Sequence, residues 1–112
     1  MSVLLALCTC PDSGSADTIA SLLVEEQIAA CVSIVPGLTS VYRWQGKIER
    51  DAEVLLLIKT TEQQIETLTA RVLELHPYDL PEIIAVPVTR GLPQYLEWVS
   101  SCISDDKKAS SA

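Results

Sequence analysis

Val32 to Lys59 reads V-S-I-V-P-G-L-T-S-V-Y-R-W-Q-G-K-I-E-R-D-A-E-V-L-L-L-I-K, and the architecture turns on this stretch. Val32–Val35 begins a strand. Pro36-Gly37 interrupts it, because proline has no N–H to give to a ladder. Thr39–Trp44 resumes it with β-branched and aromatic residues. Gln45-Gly46 or Gly46-Lys47 can supply the positive φ that a tight hairpin turn requires. Ile48–Lys59 then returns as a third strand, ending in the run Val54-Leu-Leu-Leu-Ile58. The two segments form one long hairpin. At ~3.3 Å per residue its arms reach roughly 40 Å. A compact domain of this length has a diameter of only about 35 Å. The hairpin tip is therefore expected to overhang. An isolated two-stranded ribbon is marginal in water, and this one carries Tyr42, Trp44 and Ile48. Another subunit covering the overhang resolves this, with Tyr42 and Trp44 packed at the interface. The competing arrangement bends the ribbon back onto its own domain at Pro36-Gly37. Length alone does not give the number of subunits.

Outward from the hairpin, Val3–Thr9 is an apolar first strand ended by Pro11-Asp12. Asp12, Ser13 and Ser15 are all suitable helix N-caps. Ala16, Ile19, Ala20, Leu23 and Gln27 lie on one helical stripe, and that helix is expected to end near Ile28–Ala30. Beyond the hairpin, Thr61 and Gln64 match a capping box. Ile65, Leu68, Val72 and Leu75 repeat at helical steps. His76-Pro77 stops this second helix, since the residue before proline is pushed out of the α region. Glu82–Val88 is a fourth strand whose Pro87 marks an edge or a bulge. Pro93 suits the first turn of a last helix carrying Leu92, Tyr95, Leu96, Val99, Cys102 and Ile103 on one stripe. The order is β-α-β-β-α-β plus a C-terminal helix. This is an α+β, ferredoxin-like split βαβ sandwich, with two helices on one face of an antiparallel sheet. Residues 1–104 are expected to be one domain, and 105–112 a polar, disordered tail.

The chain has 112 residues, of which 48% are hydrophobic and 21% charged, as expected of one globular domain. Fifteen acids against eight bases give a net charge of −7, which argues against nucleic-acid backbone binding. No apolar run approaches the ~20 residues of a membrane span. The apolar N-terminus lacks the basic region of a signal peptide. Cys8, Cys10, Cys31 and Cys102 are scattered, and Cys8-Thr9-Cys10 lacks C-x-x-C spacing, so a reduced, cytoplasmic protein is expected.

Several spaced segments resemble one family. Cys8-Thr9-Cys10-Pro11-Asp12 matches a C-T-x-P-D segment. Leu38 to Ile48, L-T-S-V-Y-R-W-Q-G-K-I, matches an S-x-Y-x-W-x-G-K signature. Lys59-Thr60-Thr61, His76-Pro77-Tyr78-Asp79-Leu80-Pro81-Glu82-Ile83 and Tyr95-Leu96-Glu97-Trp98 follow in family order. From residue 3 to about 103 the chain resembles CutA-type divalent-cation tolerance proteins. The resemblance implies a ferredoxin-like fold and a homotrimer with strands paired across subunits. It also implies a cytoplasmic protein linked to copper and other divalent metals.

His76, at a helix end, is the one histidine and a candidate ligand for Cu²⁺ or Zn²⁺. The competing reading is a capping residue packed on Pro77 and Tyr78. Cys8 and Cys10 share one strand face. Their thiolates suit soft or borderline metals, whereas the commonest fate of free cysteine is a small buried hydrophobe. Cys8 and His76 are the leading ligands, with Cys10 and Glu82 as weaker ones. Some family members carry two adjacent histidines before Pro-Tyr, and Leu75 replaces the first here. Lys59 and Arg90 could hold an anion. Asp12, Glu49, Asp51 and Glu53 could bind hard cations weakly, but they lack calcium-loop spacing. No phosphate-binding glycine loop, G-x-S-x-G or H-E-x-x-H occurs. A non-enzymatic, metal-responsive homotrimer, binding reversible copper or a similar divalent ion and neither nucleic acid nor membrane, is the leading expectation. The alternative is a trimeric signalling protein that takes a small anion or a partner in clefts between subunits.

Overall fold

The computed structural model describes residues 2–103, so the expected tail 105–112 lies outside the described residues. The elements run β1 (Val3–Cys10), α1 (Ser13–Glu25), β2 (Cys31–Trp44), β3 (Lys47–Thr61), a 3₁₀ turn (Glu62–Gln64), α2 (Ile65–Leu75), β4 (Ile83–Pro87) and α3 (Pro93–Ser101). The four strands form one antiparallel sheet in the order β2-β3-β1-β4. The expected element order is thus the observed one.

β2 and β3 pair from Cys31↔Lys59 to Trp44↔Lys47, closed by Gln45 and Gly46 at φ 50° and 80°. Both positive values fit a two-residue turn that matches the strand twist. Pro36-Gly37 does not end β2. The register shifts between Val35 and Leu38 and pairing resumes, with Gly37 at φ 84°. A bulge is where a strand tolerates a missing N–H. The longest molecular dimension is 47 Å, against 30 and 24 Å for the others, and the radius of gyration is 14.9 Å. A compact chain of this size would give about 13 Å. The elongation agrees with the overhanging ribbon, on which Val41, Tyr42, Trp44 and Ile48 are exposed.

α1 and α2 cover one sheet face. Ala16, Ile19 and Leu23 of α1 and Leu68 and Val72 of α2 pack with Ala6, Cys8 and Cys10 of β1 and with Val54, Leu56 and Ile58 of β3. Val3 alternates to the opposite face. There it joins Ala30 and Val99 of α3, with Leu96, Cys102 and Ile103 alongside. The expected α3 stripe is therefore only partly buried, because Leu92 and Tyr95 remain exposed. The rest of that face carries Leu5, Leu7, Leu55 and Leu57, half-buried, and Val35, Ile84 and Val86, exposed.

Two local expectations fail. α1 stops at Glu25 because Gln27 sits at φ 60°, which lets Ile28 N–H return to Leu23 O at 3.0 Å. This six-residue closure normally uses glycine, so the sequence hides it. Gln27 is accordingly exposed and off the stripe. Thr61 makes no side-chain cap bond, because it is still paired with Val3 in the sheet and leads into the 3₁₀ turn.

Candidate metal centre and the adjoining cavity

Cys8 and Cys10 point into the core from the last part of β1, where period-two alternation aligns them. α2 ends at Leu75. His76 then turns extended (φ −79°, ψ 137°) while its N–H still bonds Val72 O at 2.8 Å. This turn carries the imidazole over the end of β1. Donor atoms of Cys8, Cys10 and His76 all lie within 4.8 Å of one another, and all three residues are buried. Of the two weaker ligand candidates, Cys10 joins this group. Glu82 is exposed and stays outside it, though its charge helps to raise the Cys8 thiol. Leu75, where some relatives carry a histidine, is half-buried against the core.

Both imidazole nitrogens are engaged. Nδ1 accepts the Tyr78 N–H at 3.1 Å, so Nε2 carries the proton and donates to Thr9 O at 2.7 Å. As it stands, this ring is a cross-brace between the α2–β4 loop and β1. It becomes a ligand only by giving up one of those bonds. The two thiols split in opposite directions. Cys8 is pushed far up by its hydrogen bond to Cys10, by burial, and by the charges of Cys10, Glu82 and Glu53. Cys10 is pulled down by that same bond from Cys8, against the opposing effect of burial.

Two sulfurs and an imidazole fit a soft or borderline ion. Such donors on one tetrahedral ion sit roughly 3.5 Å apart, so the group must close by about 1 Å. Binding must also displace thiol protons. Any metal affinity at this cluster is thus expected to rise with pH, by up to about tenfold per unit for each displaced proton between about pH 6 and pH 8. That window lies below 9.0, the ordinary thiol value from which Cys8 is raised. Calorimetric titrations across the window check it.

On the opposite sheet face, beside the ribbon, lies a cavity of about 710 Å³. Its wall includes Tyr42, Trp44 and Tyr78, together with Glu53, Asp79 and Glu82. Glu53 is buried, and its carboxylate accepts the Tyr78 hydroxyl at 3.0 Å. Burial, that bond and the neighbouring acidic charge push Tyr78 up to about 12. Tyr42 donates to Asp51, and this bond comes first among the causes raising it to about 12. Lys59 and Arg90 do not line the cavity. Lys59 reaches Ser33 Oγ at 3.0 Å and Cys31 Sγ at 3.8 Å on the face away from the paired helices, and Arg90 is exposed after β4.

Sequence reasoning did not single out the Glu53–Tyr78 pair or Asp79. One signal existed: Glu53, Leu55 and Leu57 alternate onto one face, which places an acid in an apolar stripe.

The family model described as "CutA1 divalent ion tolerance protein" matches residues 4–102. The chain belongs to the CutA1 family. A CutA divalent-cation tolerance protein of Thermus thermophilus is 55% identical over 93 residues, covering 83% of this chain and 90% of that one. Mouse CutA is 49% identical over 98 residues, covering 88% of this chain but 55% of the mouse protein. The chain thus spans about half the length of that CutA relative. The solved Thermus thermophilus CutA1 superposes with a TM-score of 0.90 at 50% identity, over 91% of this chain and 99% of that one. The α+β architecture, a four-stranded antiparallel sheet with three helices, is the CutA1 architecture.

Proposed function

We propose that this protein acts in tolerance of divalent cations by binding a copper-class ion reversibly, without catalysis, as a cytoplasmic homotrimer of ferredoxin-like domains (residues 1–104). One observation carries the metal assignment: Cys8, Cys10 and His76 bring two sulfurs and an imidazole within 4.8 Å in the core. Cys8 and His76 are the principal ligands, and Cys10 is the thiol that loses its proton most readily. The names of relatives such as the Thermus protein support the divalent-cation part of the reading.

The trimer rests on two surfaces of the protomer. The ribbon exposes Tyr42, Trp44 and Ile48, and the sheet face not covered by α1 and α2 exposes Val35, Ile84 and Val86. Contiguous apolar surface of this kind marks an association site. Among the described residues no helix is long and apolar enough to cross a membrane.

Calorimetry with Cu²⁺ tests the site. Cys8→Ser and His76→Ala are each expected to weaken binding by about tenfold to a hundredfold relative to wild type, the usual scale for losing one ligand or its support. Equal affinity in all three proteins removes the assignment.

A further inference from the structure

We propose that metal binding at the Cys8–Cys10–His76 cluster detaches the Tyr78 amide and so loosens the hold of Tyr78 on Glu53, relaying occupancy of the core to the base of the ribbon. The proposal rests on the metal reading above and adds a regulatory role to it. A neutral imidazole has one ring lone pair and one ring N–H. In His76 both are taken: Nδ1 accepts the Tyr78 N–H at 3.1 Å, and Nε2 donates to Thr9 O at 2.7 Å. Ligation through Nδ1 takes the lone pair that the Tyr78 N–H uses. Ligation through Nε2 first moves the proton from Nε2 to Nδ1, which then sets a donor against a donor. By either route the Tyr78 N–H loses its acceptor, whereas the Thr9 bond survives the first.

Tyr78 is tied at both ends. Its hydroxyl donates to the Glu53 carboxylate at 3.0 Å, and its ring centroid lies 4.9 Å from that of the imidazole. Pro77 joins the two residues with a fixed φ and no N–H of its own, so little slack separates them. β4 pairs with β1 only as far as Cys8. Past that point His76-Pro77-Tyr78 crosses from the helix-covered face of the sheet to the other. Glu53 is buried there and pairs with Leu38, where β2 resumes its register after the bulge. A Tyr78 backbone pushed off the imidazole therefore strains the hydroxyl bond to the strand pair that carries the ribbon. The relay has two discrete states, the amide on the ring or off it, as such coupling requires. Both bonds lie within one chain, so association of protomers does not remove them.

Zn²⁺ is the probe, because it is redox-inert and leaves the thiols unoxidised. Calorimetry reports occupancy, and amide hydrogen exchange at single-residue resolution reports the relay. In the Zn²⁺-loaded protein the Tyr78 amide is expected to exchange about tenfold faster, the scale of one lost hydrogen bond. The His76 amide, held by Val72 O at 2.8 Å, is expected not to accelerate. Coupling is reciprocal, so Tyr78→Phe, which removes the bond to Glu53, is expected to bind Zn²⁺ about fivefold more tightly. A purely structural hydroxyl would leave the affinity equal or lower, and either result overturns the relay. Zn²⁺ bound by the wild type and not by Cys8→Ser/Cys10→Ser, with the Tyr78 amide no faster, overturns the relay and leaves the metal reading standing. Acceleration that persists in Cys8→Ser/Cys10→Ser arises from ions elsewhere and also overturns the relay. No Zn²⁺ binding by the wild type overturns both. The wild-type exchange measurement decides the proposal even if a variant fails to fold.

Discussion

Ile84→Asp/Val86→Asp is expected to leave the protomer folded and to abolish its association. Sedimentation equilibrium at micromolar concentration is expected to report single chains for this variant and an assembly for the unaltered protein. Ile84 is paired with Leu7 and Val86 with Leu5, on the sheet face that α1 and α2 leave uncovered. They are 55% and 45% exposed. In the single protomer two carboxylates there meet water, and the cost is small. Within an apolar interface each would be desolvated without a partner, at several kcal/mol per ion. That corresponds to a dissociation constant raised by about a hundredfold or more. Unchanged mass in the variant would show that this face is not the contact, and would leave the ribbon as the surface to test.

The second large effect lies in the core. Leu56→Ala is expected to lower the unfolding free energy by about 3 kcal/mol, read by denaturant unfolding at matched protein concentration. The melting temperature should fall by roughly 15 °C for a domain of this size. Leu56 is fully buried on a central strand, paired with Cys8 on one side and Ile34 on the other. Its removal leaves a cavity between the sheet and the two helices. Strands on both sides are hydrogen-bonded to β3, so the void cannot close easily. A loss below about 1 kcal/mol would indicate a core that relaxes freely, contrary to the close packing of such interiors.

The fold was legible where the signal is local. Period-two and helical spacing found β1 to β4 and α1 to α3, and Pro93 and His76-Pro77 marked helix ends. The misses have physical reasons. Gln27 does a glycine's work at positive φ, which only the returning Ile28 and Ala29 bonds to Leu23 reveal. Thr61 carries a capping residue type, but strand pairing holds it in the sheet. At the site, alternation aligned Cys8 with Cys10, and the strand order brought His76 over them. Two features needed the third dimension. One is the pair of backbone bonds that occupies both imidazole nitrogens. The other is the Tyr78 hydroxyl on Glu53, which joins residues far apart in the chain.

The bulge at Pro36-Gly37 has a consequence for solubility. β2 is an outer strand of the sheet, and its far rim of N–H and C=O groups is a template onto which stray chains could add. A straight rim the length of Cys31–Trp44 would be a hazard, since fibrils grow by in-register stacking along such rails. The register shift between Val35 and Leu38 divides it into two short, differently twisted lengths. A straight intruding strand cannot pair with both in one register, so the kink works against accretion along the whole rim.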